Sequence, residues 1–165
     1  MTEPNSDTAN VITGDSIYGY SVDRVYDAYL DTALWSTADH MESDAQENRP
    51  LDDWFGHEDI ADATRKEMWD VVSDFLANNG SQLAEAGLSA EQAGENLWLT
   101  QERHGAGFWD LGIRQDLGRQ LTQAARAYDP VDISEAIKPD SRAWVEQQKA
   151  VVAERDELDE SPGLD

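Results

Sequence analysis

The chain has 165 residues and a formal net charge of −23, which results from 35 acidic and 12 basic residues. Because contact with a phosphate backbone requires a basic stripe, this balance excludes ordinary nucleic-acid binding. The hydrophobic content of 39% suffices for one core, no apolar run is long enough to span a bilayer, and the absence of cysteine excludes disulfides and thiolate metal sites.

The pattern predicts three regions along the chain. Residues 1–20 are polar and contain glycine, which predicts a flexible N-terminal segment with one short strand at most. Residues 21–155 carry the periodic apolar pattern of a single globular domain, and residues 156–165 predict a disordered acidic tail. We expect an α+β fold that is mostly helical, with three main amphipathic helices packed on a small β element at about residues 97–111.

The first predicted helix begins after Ser21, because apolar residues recur from there at helical spacing. Tyr26 and Tyr29 lie on the apolar stripe, so we expect both rings in the core. The stripe consists of Val22, Val25, Tyr26, Tyr29, Leu30, Ala33 and Leu34.

A long acidic loop is predicted over residues 37–59, where no periodicity is sustained and Pro50 and Gly56 interrupt the chain. The segment "LDDWF" inside it carries three large apolar side chains. We expect Leu51, Trp54 and Phe55 to anchor the loop to the core rather than to form an exposed recognition patch.

Three further helices follow from the apolar spacing. One is predicted from about Ile60 to Asn78, with "NNG" as its stop, and a second runs from Ile113 to Tyr128. A weaker helix is predicted around residues 141–155. Between the first two, Ser89 and Gln92 form the pattern of a capping box that opens another short helical piece.

The predicted β element comes from "NLWLTQERHGAGFWDLG", in which two aromatic and apolar runs surround a polar, glycine-rich centre. This arrangement is typical of a hairpin, and Gly105 and Gly107 permit positive φ in its turn. Of the six tryptophans, Trp54 and Trp144 occupy irregular surroundings, and either one would be a hot-spot candidate if exposed. The other four are expected in the core: Trp35, Trp69, Trp98 and Trp109.

Several segments resemble a group of small acidic proteins encoded by bacteriophages and prophages. They are "YLDTALWSTAD", "PLDDWFGHEDIADATRKEM" and "SAEQAGENLWLTQERHGAGFWD", followed by an amphipathic helix. The group shows the same order, with a helix similar to "YLECALWSSTDE", a "PLD...Y...DIAPE" segment and "AGHDFWLTRNGHGAGFWDRG". The resemblance runs from about Asp23 to Tyr128 and implies a phage origin without a particular biochemical activity.

The chain also departs from this group. An asparagine-glycine turn and an arginine of the group's "RNGHGAGFWDRG" are replaced in "QERHGAGFWDLG", and the end carries "SRAWVEQQKAVVAERDE" instead of a glycine-containing strand pair. The shared motif nevertheless stays whole, and we interpret it as a structural turn with core aromatics. It consists of His104, Gly105, Ala106, Gly107, Phe108, Trp109 and Asp110.

An enzymatic interpretation would use His104 as a general base, oriented by Asp110 or Glu102, with the amides of residues 105–107 receiving an anion. The sequence supplies no nucleophile motif, no phosphate-binding loop and no "HExxH" pair. His40 and His57 lie far from His104 in the chain. We therefore expect no catalytic residue, no metal site and no cofactor.

The charge favours protein binding over catalysis. Because duplex DNA carries a charge per about 1.7 Å, 23 charges correspond to about 40 Å of duplex, close to the width of roughly 40 Å expected for a globule of this length. We expect a phage-derived inhibitor or modulator of a host protein with a basic surface, in the host cytoplasm, with DNA mimicry as one form. An acidic accessory protein, homo-oligomeric or not, is the alternative. The predicted contacts are Asp39, Glu42, Asp44, Glu47, Asp52, Asp53, Glu58 and Asp59.

Overall fold

A computed structural model describes residues 12–13, 16–40 and 49–159. It shows a mostly helical α+β fold with a small antiparallel sheet, which confirms the predicted fold class. Three 3-10 helices, at Leu51–Asp53, His57–Asp59 and Phe108–Asp110, occur in the connections. The α-helices of these residues are α1 (Val22–Ser36), α2 (Asp62–Glu85), α3 (Ala90–Gln101), α4 (Gln115–Arg126), α5 (Ile133–Ala136) and α6 (Pro139–Asp159).

The sheet lies before the first helix, in the part of the chain predicted to be flexible. Its strands are β1 (Ile12–Thr13), β2 (Ser16–Ile17) and β3 (Tyr20–Ser21), and each pairs antiparallel with the next. Tyr18 and Gly19 turn the chain between β2 and β3 with φ of 53° and 82°. The rest of the predicted flexible segment, residues 1–11 and 14–15, lies outside the described residues.

The predicted β element at residues 97–111 is wrong, because α3 occupies its first half and the 3-10 helix Phe108–Asp110 its second. Residues 96–101 are all buried, so this part of α3 is covered on every side. A helix in that position loses its polar face, and its short apolar run then cannot be distinguished from a buried strand.

The closest packing in the described structure is between α1 and α3. Gly94 allows it, since a Cβ at this position would lie 2.2 Å from the carbonyl oxygen of Val25. The buried hydroxyl of Tyr29 donates to the side chain of Gln101, and the indole of Trp98 donates to Ser36 over 3.0 Å. These contacts fix the C-terminal end of α3 against α1.

Helix α2 continues through the predicted stop at "NNG" and ends at Glu85. Gly80 lies inside the helix and does not end it. The ring of Tyr18 packs on Gly80 and leaves no room for a Cβ there. The turn after α2 instead contains Gly87, whose φ is 73°. Ser89 and Gln92 then form the predicted capping box at the start of α3.

The two C-terminal helices of the prediction are present with shifted ends. Helix α4 lies within the predicted range, whereas α6 runs from Pro139 to Asp159 and therefore includes residues 156–159 of the predicted disordered tail. Residues 160–165 lie outside the described residues. None of the helices described combines the length and apolar character that crossing a bilayer requires.

Candidate functional site

Asp39, the first of the predicted partner contacts, is buried with an exposure of 7%. Its two carboxylate oxygens accept hydrogen bonds of 2.9 and 3.0 Å from the guanidinium of Arg142 in α6. Arg142 also donates to the carbonyl of Ser134 and lies over the ring of Phe55. Asp39 thus joins the loop to α6 and does not present its charge to a partner, contrary to the prediction.

The other predicted contacts differ in accessibility. Asp52, Asp53 and Glu58 are exposed, whereas the carboxylate of Asp59 accepts the amide hydrogen of Gly56 at 2.8 Å and stabilises a local turn. The remaining three predicted contacts, Glu42, Asp44 and Glu47, lie outside the described residues.

The predicted anchor of the loop is confirmed. Leu51 and Phe55 are buried in the core, and Trp54 packs against it while partly exposed. The amide of Leu51 also donates to the carbonyl of Thr37, directly after α1. The acidic residues beside this anchor are therefore held next to the end of α1.

Helix α1 carries an acidic stripe that the sequence analysis missed. Asp23, Asp27 and Asp31 recur every four residues, so they share one side of the helix, and all three are exposed. Trp35 continues the stripe and has an exposure of 47%, which contradicts its predicted core position. His57 of the loop reaches Asp31 over 2.6 Å.

These exposed groups form one surface, because the contacts His57–Asp31 and Leu51–Thr37 hold the loop against α1. We call it the acidic face. It consists of Asp23, Asp27, Asp31, Trp35, Asp52, Asp53 and Glu58.

Most basic side chains form ion pairs. Eight of the twelve take part in salt bridges, and several of these, such as Arg24–Glu91 and Arg142–Asp39, join distant parts of the chain. The eight are Arg24, Arg49, Arg65, Lys66, Arg114, Lys138, Arg142 and Lys149.

The glycine-rich motif forms a tight turn between α3 and α4. The positive φ near its start belongs to Arg103, at 60°, and not to Gly105 or Gly107, because the left-handed residue is needed directly after the last helical turn. The buried Phe108 stacks on Phe75, with ring centroids 5.8 Å apart. Trp109 is not a core residue, since it is 41% exposed beneath the guanidinium of Arg126.

Polar groups inside this turn bond to one another. The carboxylate of Asp110 accepts the amide hydrogen of Gly107 at 3.1 Å, and the hydroxyl of Thr100 accepts that of Phe108 at 3.2 Å. The amide of Gly107, one of the three that an anion or oxyanion would need, is therefore already bonded. Asp110 also has no hydrogen bond to His104 among the described contacts.

A cleft of about 470 Å³ opens between the end of α1, the end of α3 and the segment before α5. Two carboxyl groups, of Glu102 and Asp132, and two imidazole rings, of His40 and His104, meet in it. Its lining residues are Ser36, Thr37, Ala38, His40, Glu102, His104, Pro130, Val131, Asp132 and Ile133.

Glu102 is the most perturbed carboxyl group of the cleft. Burial raises its pKa to about 7, although the amide of Val131 donates to its carboxylate over 2.8 Å and acts in the opposite direction. The negative charge of Asp132 raises the pKa further. Near neutral pH this carboxyl group is therefore present in both its protonated and its ionised form.

His40 and Asp132 pair across the cleft, with 3.0 Å between Nε2 and the nearer carboxylate oxygen. This hydrogen bond raises the pKa of His40 above its usual value. Glu135 adds a third ligand atom close enough for the three residues to hold a metal ion. All three are exposed, however, and Asp132 already caps α5 through the amide of Glu135.

The sequence analysis considered Glu102 only as a residue that would orient His104, and it did not predict the pair of His40 and Asp132. No local pattern connects two residues 92 positions apart. Comparison with protein-family models, curated proteins and solved structures finds no match to this chain. The site is therefore interpreted from its own residues.

Proposed function

We propose that the chain is a non-enzymatic, phage-derived protein that binds a basic surface of a host protein in the host cytoplasm and inhibits or modulates it. The acidic face is the observation that carries this proposal. Its carboxylates are exposed on a helix and a loop that are held together. Asp31 contacts His57 and Asp53 pairs with Arg49, but acidic groups outnumber basic ones on this face.

The spacing of the stripe decides how closely it resembles DNA. Carboxylates four residues apart on a helix are separated by a rise of about 6 Å, whereas one DNA strand carries a charge per roughly 3.4 Å. The stripe of Asp23, Asp27 and Asp31 thus has about half the charge density of one strand. This supports binding to a basic protein surface more strongly than imitation of a whole duplex.

Trp35 gives the acidic face an apolar contact. Tryptophan is enriched among the residues that dominate binding, and its indole lies one turn beyond Asp31. A partner with lysine or arginine side chains around an apolar depression would fit both features. The charges would guide the approach, and the indole would supply affinity.

The test is affinity capture from host lysate with the whole chain as bait, at low and high salt, with duplex DNA as a competitor. A charge variant, Asp23→Asn with Asp27→Asn and Asp31→Asn, is compared with a control that removes three exposed charges from α6, namely Asp140→Asn, Glu154→Gln and Glu157→Gln. The purified partner is then titrated against each variant.

We expect the charge variant to lose about tenfold in affinity, because each exposed pair contributes roughly 0.5 kcal/mol. Its binding should also depend less on salt, and the control should behave as the parent chain. Trp35→Ala should lose more than tenfold. Equal losses in the charge variant and the control would show that the acidic face is not the interface.

A further inference from the structure

The cleft next to the acidic face contains a half-buried carboxylate without a counter-charge. Oxygen Oε2 of Glu102 accepts one hydrogen bond from the amide of Val131, and no basic side chain of the described residues forms an ion pair with Glu102. Asp132 brings a second carboxylate to the same cleft, where both of its oxygens also contact Nε2 of His40, at 3.0 and 3.1 Å. A cation beside a half-buried carboxyl group stabilises its ionised form, so this arrangement favours a positively charged ligand.

The position of Glu102 at the end of α3 strengthens the argument. The residue caps the C-terminus of the helix, where the carbonyl groups give a partial negative charge. A carboxylate is unfavourable there and a cation is favourable. The helix end, Glu102 and Asp132 thus all favour a positive group in the cleft.

The walls of the cleft suggest what carries that group. Ala38, Pro130, Val131 and Ile133 line it with aliphatic surface beside the carboxylates. Lysine and arginine side chains have matching chemistry, since an apolar stem leads to a charged end.

We infer that the cleft receives a lysine or arginine side chain of the basic partner, with Glu102 and Asp132 holding its charge. This inference rests on the proposed function and adds a specific pocket to the acidic face. Arginine would place its planar guanidinium against two carboxylates, whereas lysine would offer a single ammonium group.

Binding of a cation in the cleft should strengthen as the pH rises. Glu102 loses its proton near pH 7, and His40, whose pKa Asp132 raises, loses its positive charge in the same direction. Tyr29, which faces Glu102 from α1, stays neutral because burial holds its pKa well above the usual range. His104 lines the same cleft, and Arg103 follows Glu102 in the chain.

The experiment follows the amide of Val131 by NMR, since this N–H donates to Glu102 and reports its charge. Nα-acetyl-arginine amide and Nα-acetyl-lysine amide are titrated into the protein in the presence of a chelator, which removes stray metal ions. Nα-acetyl-citrulline amide is the control ligand, because it has nearly the shape of arginine without the charge. The variants are Glu102→Gln and, as a control on the same helix, Glu95→Gln.

We expect at least one cationic amide to shift the Val131 signal and citrulline amide to leave it unchanged. Between pH 6 and pH 8 the affinity should rise about tenfold, as expected for one proton released near pH 7. Glu102→Gln should lose this rise and Glu95→Gln should keep it. A stronger response to the arginine or to the lysine amide identifies which side chain the cleft takes.

Equal shifts with citrulline amide, or no shift with either cation, would overturn the inference. Neither result would contradict the proposed function, because a captured basic partner would still bind through the acidic face. Conversely, cation binding that depends on Glu102 would support the pocket even if the lysate yielded no basic partner.

Discussion

Gly107 lies at the centre of the glycine-rich motif and leaves no room for a side chain. A Cβ on Gly107 would lie 2.3 Å from the ring of Trp109 and 2.5 Å from the hydroxyl oxygen of Thr100. Its φ of 166° is extended backbone that any residue adopts, so the obstacle is steric. At Gly105, by contrast, a Cβ would meet nothing within 4 Å. Gly107→Ala should therefore destabilise the fold, and Gly105→Ala should not.

The expected cost follows from three contributions. Forcing a methyl group into a packed site costs about 1 to 3 kcal/mol. Displacing Thr100, whose hydroxyl accepts the amide hydrogen of Phe108, removes a hydrogen bond worth about 1 kcal/mol. Replacing glycine restricts the unfolded chain and returns about 0.4 to 1 kcal/mol. The net loss is about 2 kcal/mol, or a Tm lower by about 4 to 8 °C at this chain length.

The assay is urea and thermal unfolding, followed by circular dichroism, of the parent chain and both variants. Gly105→Ala should stay within about 0.5 kcal/mol of the parent, since its position is open and unstrained. If both variants had the same free energy of unfolding, tight packing would not explain why glycine occupies position 107. A functional explanation for Gly107 would then be needed.

Two further predictions concern charges at the cleft and the loop. Asp39→Asn should cost about 3 kcal/mol in unfolding free energy, because it leaves the charge of Arg142 without its paired carboxylate; Asp52→Asn is the exposed control, and equal effects of the two would refute the structural role of Asp39. Glu102→Gln should match the parent near pH 4, below the unfolded pKa, and exceed its stability at pH 8. The carboxyl takes up its proton near pH 7 when folded and near pH 4.5 when unfolded, so stability falls as the pH rises between these values. After a discount for partial exposure we expect a gain of about 1 to 2 kcal/mol at pH 8, and a gain equally large at pH 4 would contradict the assignment.

The elements that could be predicted from sequence are those with one buried side. Helix α1 buries Val25 and Tyr29 and exposes Asp23 and Asp27, so its period is visible, and the hydroxyl of Ser21 accepts the amide hydrogen of Arg24 at its start. Such a helix shows its period because burial and solvation alternate with each turn. Its start was also predictable, since capping is a local interaction.

The elements that were predicted wrongly depend on tertiary contacts. Helix α3 has no solvated side at residues 96–101, and its apolar run therefore resembled a strand. Gly80 resembled a helix stop, but the ring of Tyr18 packs against it from another part of the chain. In both places the neighbour that decides the structure lies far away in sequence.

The same limit applies to the site. Asp39 and Asp52 are both acidic residues of one acidic segment. Contacts with distant residues, among them Arg142, 103 positions away, make Asp39 structural, whereas Asp52 is exposed. Glu102 owes its perturbed pKa to burial in the folded chain, which no local pattern indicates. The stripe on α1 was visible as a repeat of four, but the prediction placed the contact residues in the loop.

The distribution of charge helps to distinguish a surface that binds a partner from a surface that only keeps the protein soluble. Among the described residues, four arginines make no ion pair, and two of them, Arg119 and Arg126, line one groove with Trp109 on α4. The acidic face lies on α1 and the loop, whereas these two arginines lie on α4, so the charge of the described residues is unevenly distributed even though Arg24 and Arg49 lie beside the acidic face. A surface that serves only hydration gains nothing from an uneven distribution of charge, whereas an uneven electrostatic field orients a charged partner as it approaches. An uneven distribution of charge is expected of the proposed binding function and is not required by the accessory alternative.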